Sequence, residues 1–104
     1  MITVGIDVGS ITAKAAVVKD GEVISHKLIL TGYNARNAGE EVFENVIKDL
    51  GLKSSSIDKI ISTGYGRNSV AIAHKTVTEI TCHAMGAHYL DSTIRSVIDI
   101  GGQD

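Results

Sequence analysis

Two short glycine turns divide the first 30 residues into three apolar runs, and this division constrains the fold more than any other feature. The dipeptide Asp20-Gly21 is typical of a two-residue β-hairpin turn. Gly9-Ser10 interrupts the apolar residues in a similar way closer to the N-terminus. We therefore predict three consecutive antiparallel strands, at Ile2–Val8, Thr12–Val18 and Glu22–Leu30.

An amphipathic helix is predicted after a loop at 32–36. Apolar residues recur there at three- and four-residue spacing, which is the spacing of one helix face. Asn37 with Glu40 three residues later resembles a capping box, and Gly51 suits the end of the helix. The apolar face consists of Val42, Phe43, Val46, Ile47 and Leu50.

The rest of the chain is predicted to add two strands and a second helix. A short strand is expected at Lys59–Thr63, and the stretch at 70–77 is ambiguous, with a further short strand as one interpretation. Thr76 with Glu79 resembles a capping box, which predicts that a helix follows. The last strand is expected at Ser96–Ile100.

These elements follow the order β-β-β-α-β-α-β, which predicts an α/β fold with a mixed five-stranded sheet. Crossover connections between parallel strands are right-handed, so both helices are expected mainly on one face. The strand at 59–63 then lies beside the first strand. The predicted order across the sheet is third, second, first, fourth and last.

Composition limits the classes of partner. The 104 residues are 43% hydrophobic with a formal net charge of −2, which fits a single domain over residues 1–104. The ten lysines and arginines are scattered, which argues against nucleic-acid binding. No apolar stretch approaches the ~18 residues of a membrane span. A single cysteine forms no internal disulfide, which fits a cytoplasmic location.

A carboxylate stands at the end of the first predicted strand, in Asp7-Val8-Gly9-Ser10. In a structural interpretation, Asp7 accepts hydrogen bonds from its own turn and Gly9 supplies a positive φ. In a functional interpretation, Gly9 lets backbone N–H groups approach a phosphate, and Ser10 and Thr12 add hydroxyl donors. Asp7 would then hold a magnesium ion through water. This turn alone leaves both interpretations open.

The same pattern of strand, carboxylate and glycine returns as Asp99-Ile100-Gly101-Gly102. Ligands bind outside the carboxyl ends of parallel strands, so two such turns on neighbouring strands predict one phosphate–metal site. We expect any bound phosphate or metal between Ser10 and Gly101. The chain lacks the P-loop motif, and a strand instead of a helix follows the first glycine turn, unlike a dinucleotide fingerprint.

The turns resemble the phosphate motifs of the actin, Hsp70 and sugar-kinase superfamily. GIDVGSITAK is similar to the first motif and DIGGQD to the second. A closer resemblance is carried by GIDVGSITAKAAVVKDG, STGYGRNSV, TEITCHAMGA and VIDIGGQD, in this order along the chain. Together they resemble the ATP-dependent activators of 2-hydroxyacyl-CoA dehydratases, which belong to the BadF/BadG/BcrA/BcrD family with the ATPase subunits of benzoyl-CoA reductase.

The resemblance implies an RNase H-like, actin-like ATPase subdomain from a two-lobed protein that closes on ATP and magnesium. It implies a homodimer with one bridging four-iron four-sulfur cluster, and ATP-driven electron transfer to a dehydratase or reductase partner. Carried over by position, two aspartates would hold magnesium, and the other matching residues would contact the nucleotide phosphates. The aspartates are Asp7 and Asp99; the others are Gly9, Ser10, Thr12, Lys14, Gly101, Gly102 and Gln103, with Asp104 nearby.

The family's cluster cysteines and adenosine-binding segment would follow Asp104, so we expect this chain to be a fragment that does not turn over ATP at a meaningful rate. We also expect it to self-associate through its second helix. Cys82 is interpreted as a packed thiol, and Arg67 either as a loop anchor or as a nucleotide or partner contact. Two alternatives stay open: a lobe of a sugar or acyl-group kinase, and a purely structural or associating module.

Overall fold

The computed structural model describes residues 1–77 of the chain. These residues form a mixed sheet of five strands with the order β3-β2-β1-β4-β5. The first three strands are antiparallel neighbours, whereas β4 pairs parallel with both β1 and β5. The strands are β1 (Ile2–Val8), β2 (Thr12–Lys19), β3 (Glu22–Leu30), β4 (Lys59–Thr63) and β5 (Lys75–Thr76).

The prediction of a mixed five-stranded α/β sheet is confirmed, as is the order of its first four strands. On the side away from β1, the described neighbour of β4 is β5, which comes from the stretch that the sequence left ambiguous. The second helix, the strand at Ser96–Ile100 and the second glycine turn lie outside the described residues.

The hairpin between β2 and β3 forms at the predicted dipeptide. Asp20 and Gly21 have φ values of 51° and 85°, and Lys19 pairs with Glu22 across the turn. Two residues with positive φ match the right-handed twist of the strands that they join. The turn therefore sets the register of β3 on β2.

The helix α1 spans Ala35–Asp49 and begins earlier than the sequence predicted. Its N-cap is Asn34, whose side-chain oxygen accepts a 3.0 Å hydrogen bond from the amide of Asn37. Asn37, expected as the cap, lies inside the first turn of the helix. Glu40 does not complete a capping box, because its carboxylate pairs with Arg36 at 3.3 Å.

The end of α1 agrees with the prediction. The amide of Gly51 donates to the carbonyl of Lys48 at 3.0 Å, and that of Leu52 donates to Ile47 at 2.9 Å. This pair of bonds is a Schellman motif, which satisfies carbonyls that the helix leaves without partners. The chain then returns through a short 3₁₀ turn at Ser54–Ser56 to β4.

The core lies between α1 and one face of the sheet. Alternate residues of each strand point to the same face, so every second residue of β1 and β2 meets the helix. Burying each large aliphatic side chain contributes roughly 1.5–3 kcal/mol. The buried side chains include Val4, Ile6, Val8, Ala13, Ala15 and Val17 from the sheet, and Val42, Phe43, Val46 and Ile47 from the helix.

The intervening residues of β1 and β2 belong to the opposite face, which α1 does not cover. Asp7 and Lys14 are cross-strand neighbours on this face. The alternation therefore explains how a strand with a buried apolar side can carry a carboxylate that remains accessible to solvent. No helix within residues 1–77 has the length and apolar character needed to cross a membrane.

Candidate functional site

The turn between β1 and β2 is closed by its own backbone. The amide of Gly9 donates a 2.9 Å hydrogen bond to the carbonyl of Thr12. Gly9 does not have a positive φ, so the expectation that glycine supplies left-handed backbone here is wrong. A Cβ atom on Gly9 would lie 3.1 Å from the Thr12 oxygen. Glycine is thus favoured at this position because the turn is narrow.

Two amides of this turn remain available for a ligand. Ser10 and Ile11 are exposed, and no described residue accepts a hydrogen bond from either amide. Successive free N–H groups in a turn form a concave site for an anion. The sequence predicted that Gly9 lets backbone N–H groups approach a phosphate, without naming the groups, and the amide of Gly9 itself is engaged with Thr12. The donors that the structure offers are those of Ser10 and Ile11, and the role of Ile11 was missed.

Thr31, directly after β3, holds the β1–β2 turn through two hydrogen bonds. The hydroxyl of Thr31 donates to the carbonyl of Gly9 at 2.8 Å, and the amide of Thr31 donates to the carbonyl of Ile11 at 2.9 Å. Both bonds use carbonyl oxygens, so they leave the amides of Ser10 and Ile11 unoccupied. Thr31 therefore fixes the shape of the turn without competing with an anion. No motif in the sequence singled it out.

Asp7 stands beside the turn and pairs with Lys14 across β1 and β2. The Nζ atom of Lys14 lies 3.9 Å from Oδ2 of Asp7, and their side chains are 53% and 33% exposed. An exposed pair at this separation is worth ~1 kcal/mol or less. The lysine can therefore leave the carboxylate at little cost. Among the predicted residues, Asp7, Gly9, Ser10, Thr12 and Lys14 are brought together.

The carboxyl end of β4 adjoins Asp7 on its other side. Thr63 is the register partner of Asp7 in the parallel pairing of β1 and β4. The Oγ1 atom of Thr63 is buried and has no hydrogen-bond partner in the described part of the chain. A buried hydroxyl without a partner is uncommon and needs an explanation, such as a bound water or ion. Thr63 and Asp7 both line a groove of about 680 Å³ on this face of the sheet.

The loop after β4 contacts the first turn directly. Gly64 has a φ of 89°, and a Cβ atom on it would overlap Oδ1 of Asp7. The amide of Gly66 donates a 2.8 Å hydrogen bond to the carbonyl of Val8. The sequence treated the TGYGR segment as separate from the aspartate turn. The two glycines of TGYGR follow a strand that was expected beside β1, and this placement could have predicted the contact between the two segments.

Arg67 serves as an anchor for this loop. Its Nη1 atom donates to the carbonyl of Gly64 at 3.0 Å, and its own carbonyl accepts from the hydroxyl of Ser62 at 2.8 Å. Ser62 is fully buried in β4, between β1 and β5. These contacts support the structural interpretation of Arg67. They also show that the buried Ser62 holds the loop at the end of β4 through the carbonyl of Arg67.

The described donors suit magnesium through water but form no direct chelate. Within residues 1–77, no three His, Cys, Asp or Glu side chains come together as a metal-binding group. Magnesium keeps several water ligands and commonly uses one or two carboxylates plus substrate phosphates. Asp7 and the unpartnered hydroxyl of Thr63 meet part of that requirement. The predicted partners of Asp7 lie outside the described residues: Asp99, Gly101, Gly102 and Gln103.

The described residues have the fold of an actin-like ATPase subdomain. The first two strands of the mixed sheet with the order β3-β2-β1-β4 are joined as a hairpin, in place of a strand–helix junction. The BadF/BadG/BcrA/BcrD ATPase family matches residues 4–104, and the chain belongs to this family.

Individual relatives agree with this assignment. The chain is 39% identical over 105 aligned residues to the activator of lactoyl-CoA dehydratase from Anaerotignum propionicum, covering 100% of this chain and 40% of the relative. The structure superposes with a TM-score of 0.88 on component A of (R)-2-hydroxyglutaryl-CoA dehydratase from Acidaminococcus fermentans, at 38% identity, covering 99% of this chain and 40% of that one.

A second solved structure shows a relative with a nucleotide analogue. The activator of the 2-hydroxyisocaproyl-CoA dehydratase from Clostridium difficile, with bound ADPNP, matches with a TM-score of 0.85 at 34% identity. The match covers 98% of this chain and 38% of that chain. The chain therefore spans about two fifths of the length of the relatives that it matches.

Proposed function

We propose that the chain is the N-terminal, phosphate-binding lobe of an ATP-hydrolysing activator that drives electron transfer to a 2-hydroxyacyl-CoA dehydratase, or to a partner like benzoyl-CoA reductase. One observation carries the proposal for this site: the β1–β2 turn leaves the amides of Ser10 and Ile11 open beside the carboxylate of Asp7. Family membership and the ADPNP-bound relative support ATP as the ligand.

In this proposal the open amides and the hydroxyls of Ser10 and Thr12 bind phosphate oxygens, and Lys14 adds a positive charge. Asp7 orients a magnesium-bound water, with Asp99 in the same role from the second turn. Gly101, Gly102 and Gln103 would contact the phosphates from that turn. When bound, magnesium neutralises charge on the phosphates; catalysis of this kind is mostly positioning and electrostatic stabilisation.

The iron–sulfur cluster of the family does not fit the residues of this chain. Cys82 is its single cysteine, and clusters of this type are usually held by four thiolates. Even two copies would provide only two. Electron transfer is therefore proposed for the longer protein, in which a homodimer would supply the cluster. A cytoplasmic location is part of the same proposal, because such clusters and free thiols suit a reducing compartment.

The test is magnesium-dependent ATP binding by the 104-residue chain, followed by the amide resonances of the ¹⁵N-labelled protein. We expect weak binding, with the largest shifts at Ser10 and Ile11, and no ATP hydrolysis in a phosphate-release assay. Asp7→Asn should weaken binding in magnesium by at least about tenfold, in the range typical of lost metal-site contacts. Glu44→Gln, an equal charge change on the exposed face of α1, is the matched control.

Two outcomes would contradict the proposal. One is nucleotide binding that leaves the resonances of the β1–β2 turn unchanged. The other is binding by Asp7→Asn with the affinity of the unmodified chain. Robust hydrolysis that Asp7→Asn abolishes would instead show that this lobe is catalytically complete, against our expectation for an open site exposed to water.

A further inference from the structure

We propose that Gly64 is a positioning residue, which holds the carboxylate of Asp7 in the orientation that ligand binding requires. The inference rests on the proposed function, because it explains the support of a carboxylate that this function uses. Gly64 directly follows β4 and has a φ of 89°. A Cβ atom there would overlap Oδ1 of Asp7 and would lie 2.8 Å from the carbonyl carbon of Val8. The bare Cα of Gly64 thus packs against the carboxylate.

The loop that carries Gly64 is closed by two hydrogen bonds of its own, and two further bonds tie it to β1 and β4. The carbonyl of Gly64 accepts from the amide of Arg67 at 3.2 Å and from its Nη1 atom at 3.0 Å. One residue further along, Gly66 donates to the carbonyl of Val8 at 2.8 Å. The hydroxyl of the buried Ser62 holds the carbonyl of Arg67 at 2.8 Å.

Asp7 is the partner that yields if a side chain is added at Gly64. Val8 is fully buried and its carbonyl is bound by Gly66, so the backbone of β1 is fixed at this point. The side chain of Asp7 is one-third exposed, and its contact with Lys14 is long at 3.9 Å. A side-chain rotation costs less than moving two hydrogen-bonded strand ends. Gly64→Ala should therefore turn the carboxylate away from its present position, and because the added Cβ also overlaps the carbonyl of Val8, it should shift the loop as well.

The chain offers a matched control for this substitution. Gly21 has nearly the same left-handed backbone, with a φ of 85°, but a Cβ atom on it would meet nothing within 4 Å. Gly64→Ala and Gly21→Ala thus share the strain of an alanine at positive φ. Only Gly64→Ala adds an atom against Asp7. A difference in the ¹³Cγ resonance of Asp7 reports the contact with the carboxylate, whereas a difference in stability also includes the overlap with the carbonyl of Val8.

The experiment uses two readouts on the ¹³C,¹⁵N-labelled 104-residue chain. The first is the ¹³Cγ resonance of Asp7 without ligand, which should move in Gly64→Ala and stay in place in Gly21→Ala. The second is paramagnetic broadening of the Ser10 and Ile11 amides by Mn²⁺ with ADPNP. Gly64→Ala should raise the concentration needed for half-maximal broadening by ~10–100-fold, the usual effect of losing support for a metal ligand.

A double-mutant cycle separates positioning from general disruption. If Gly64 acts through the carboxylate, Gly64→Ala should cause no further loss of Mn²⁺–ADPNP binding in a chain that already carries Asp7→Asn. Additive losses would contradict the inference. If Gly64→Ala does not fold, Ser62→Ala replaces it, since it removes the hydrogen bond under Arg67 without adding an atom. That variant should weaken binding in the same direction, and unchanged binding would overturn the inference.

The binding measurements distinguish a failure of the inference from a failure of the proposed function. If Asp7→Asn binds Mn²⁺–ADPNP as the unmodified chain does, or if the unmodified chain does not bind, the proposed function fails, whatever Gly64 does. The ¹³Cγ resonance of Asp7 then still decides whether Gly64 positions the carboxylate. If Asp7→Asn abolishes binding but Gly64→Ala matches Gly21→Ala in both readouts, the function stands and the positioning role is wrong.

Discussion

The two turns at opposite ends of β2 reverse the chain by different means. The turn at Asp20-Gly21 uses two residues of positive φ and has open space around its glycine. The turn from Gly9 to Thr12 is longer, has no positive φ, and places its glycine close to a carbonyl. The backbone angles of the first turn follow from local preference, and Met1 adds an exposed ion pair and a backbone hydrogen bond to Asp20. The second depends on support from elsewhere in the chain.

That support comes from two different elements. Thr31, at the end of β3, binds the carbonyls of Gly9 and Ile11. The loop after β4 packs Gly64 against Asp7 and ties Gly66 to Val8. A turn that only connects strands can satisfy its own backbone. The turn beside Asp7 has two amides without an acceptor among residues 1–77, and neighbouring segments hold its shape.

The largest effect on stability is expected at Gly66, in the loop that holds the β1–β2 turn. A Cβ atom on Gly66 would lie 2.7 Å from Cγ1 of Val8 and 2.8 Å from Cβ of Ala35, both in a packed region. Overpacking of this kind costs roughly 1–3 kcal/mol. We expect Gly66→Ala to lower the free energy of unfolding by about 2–3 kcal/mol, measured by urea denaturation followed by circular dichroism.

Gly21→Ala is the comparison for that measurement. It adds the strain of alanine in the left-handed region, roughly 1–2 kcal/mol, with no steric overlap. If Gly21→Ala lowered the free energy of unfolding more than Gly66→Ala, the distinction between a locally determined turn and a supported turn would be wrong.

Thr31→Val should have the next largest effect, through one hydrogen bond. Valine keeps the branched shape but cannot donate to the carbonyl of Gly9, so stability should fall by about 1 kcal/mol. Because this bond fixes the β1–β2 turn, hydrogen exchange at Gly9 should also become faster. Equal exchange at Gly9 in the variant and the unmodified chain would show that Thr31 does not support the turn.

The hairpins were predictable from the sequence because their signals are local. Asp20-Gly21 determines backbone angles within the dipeptide, and the apolar runs on either side of it mark the two strands. The start of α1 was placed too late, because Asn34 and Asn37 are both suitable caps and the sequence does not show which one has an extended backbone. Asn34 has it, with φ of −124° and ψ of 101°.

The candidate site was predictable only in part. Asp7, Ser10 and Lys14 follow from a strand, a turn and a strand in succession, all within one hairpin. The contacts of Gly64 with Asp7 and of Thr31 with Gly9 join residues that are far apart in the chain. Such contacts depend on the parallel register of β4 on β1 and on the length of β3, and no local pattern encodes either.

Thr63→Val tests whether the unpartnered hydroxyl beside Asp7 belongs to the ligand site. Removing a buried polar group that has no partner within residues 1–77 should leave the free energy of unfolding unchanged or raise it by up to ~1 kcal/mol. If the hydroxyl holds a water or phosphate oxygen, the same variant should bind magnesium–ATP more weakly. A loss of stability without a loss of binding would assign Thr63 to the fold instead of the site.

The smallest effect is expected at the hairpin itself, where Met1 and Asp20 form an exposed ion pair of 2.9 Å. The hydrogen bond with the N-terminal ammonium, followed by its charge, lowers the pKa of Asp20 from 3.8. The same bond and the charge of Asp20 raise the pKa of the N-terminal amine from 8.0. The stabilisation by this ion pair is therefore complete between about pH 3.8 and pH 8.0. It is lost as the pH falls through the lowered pKa of Asp20, or rises through the raised pKa of the amine.

Asp20→Asn should remove this pH dependence and retain the hairpin, because Asn-Gly suits the same turn. The N-terminal pKa, measured from the pH dependence of amine labelling, should fall towards 8.0 in the variant. Binding of magnesium–ATP at the other end of β2 should not change, since the pair lies at the far turn. An N-terminal pKa that stays raised would show that Asp20 is not its cause. A change in nucleotide binding would show that the two turns are coupled through β2, against the independence that their structures indicate.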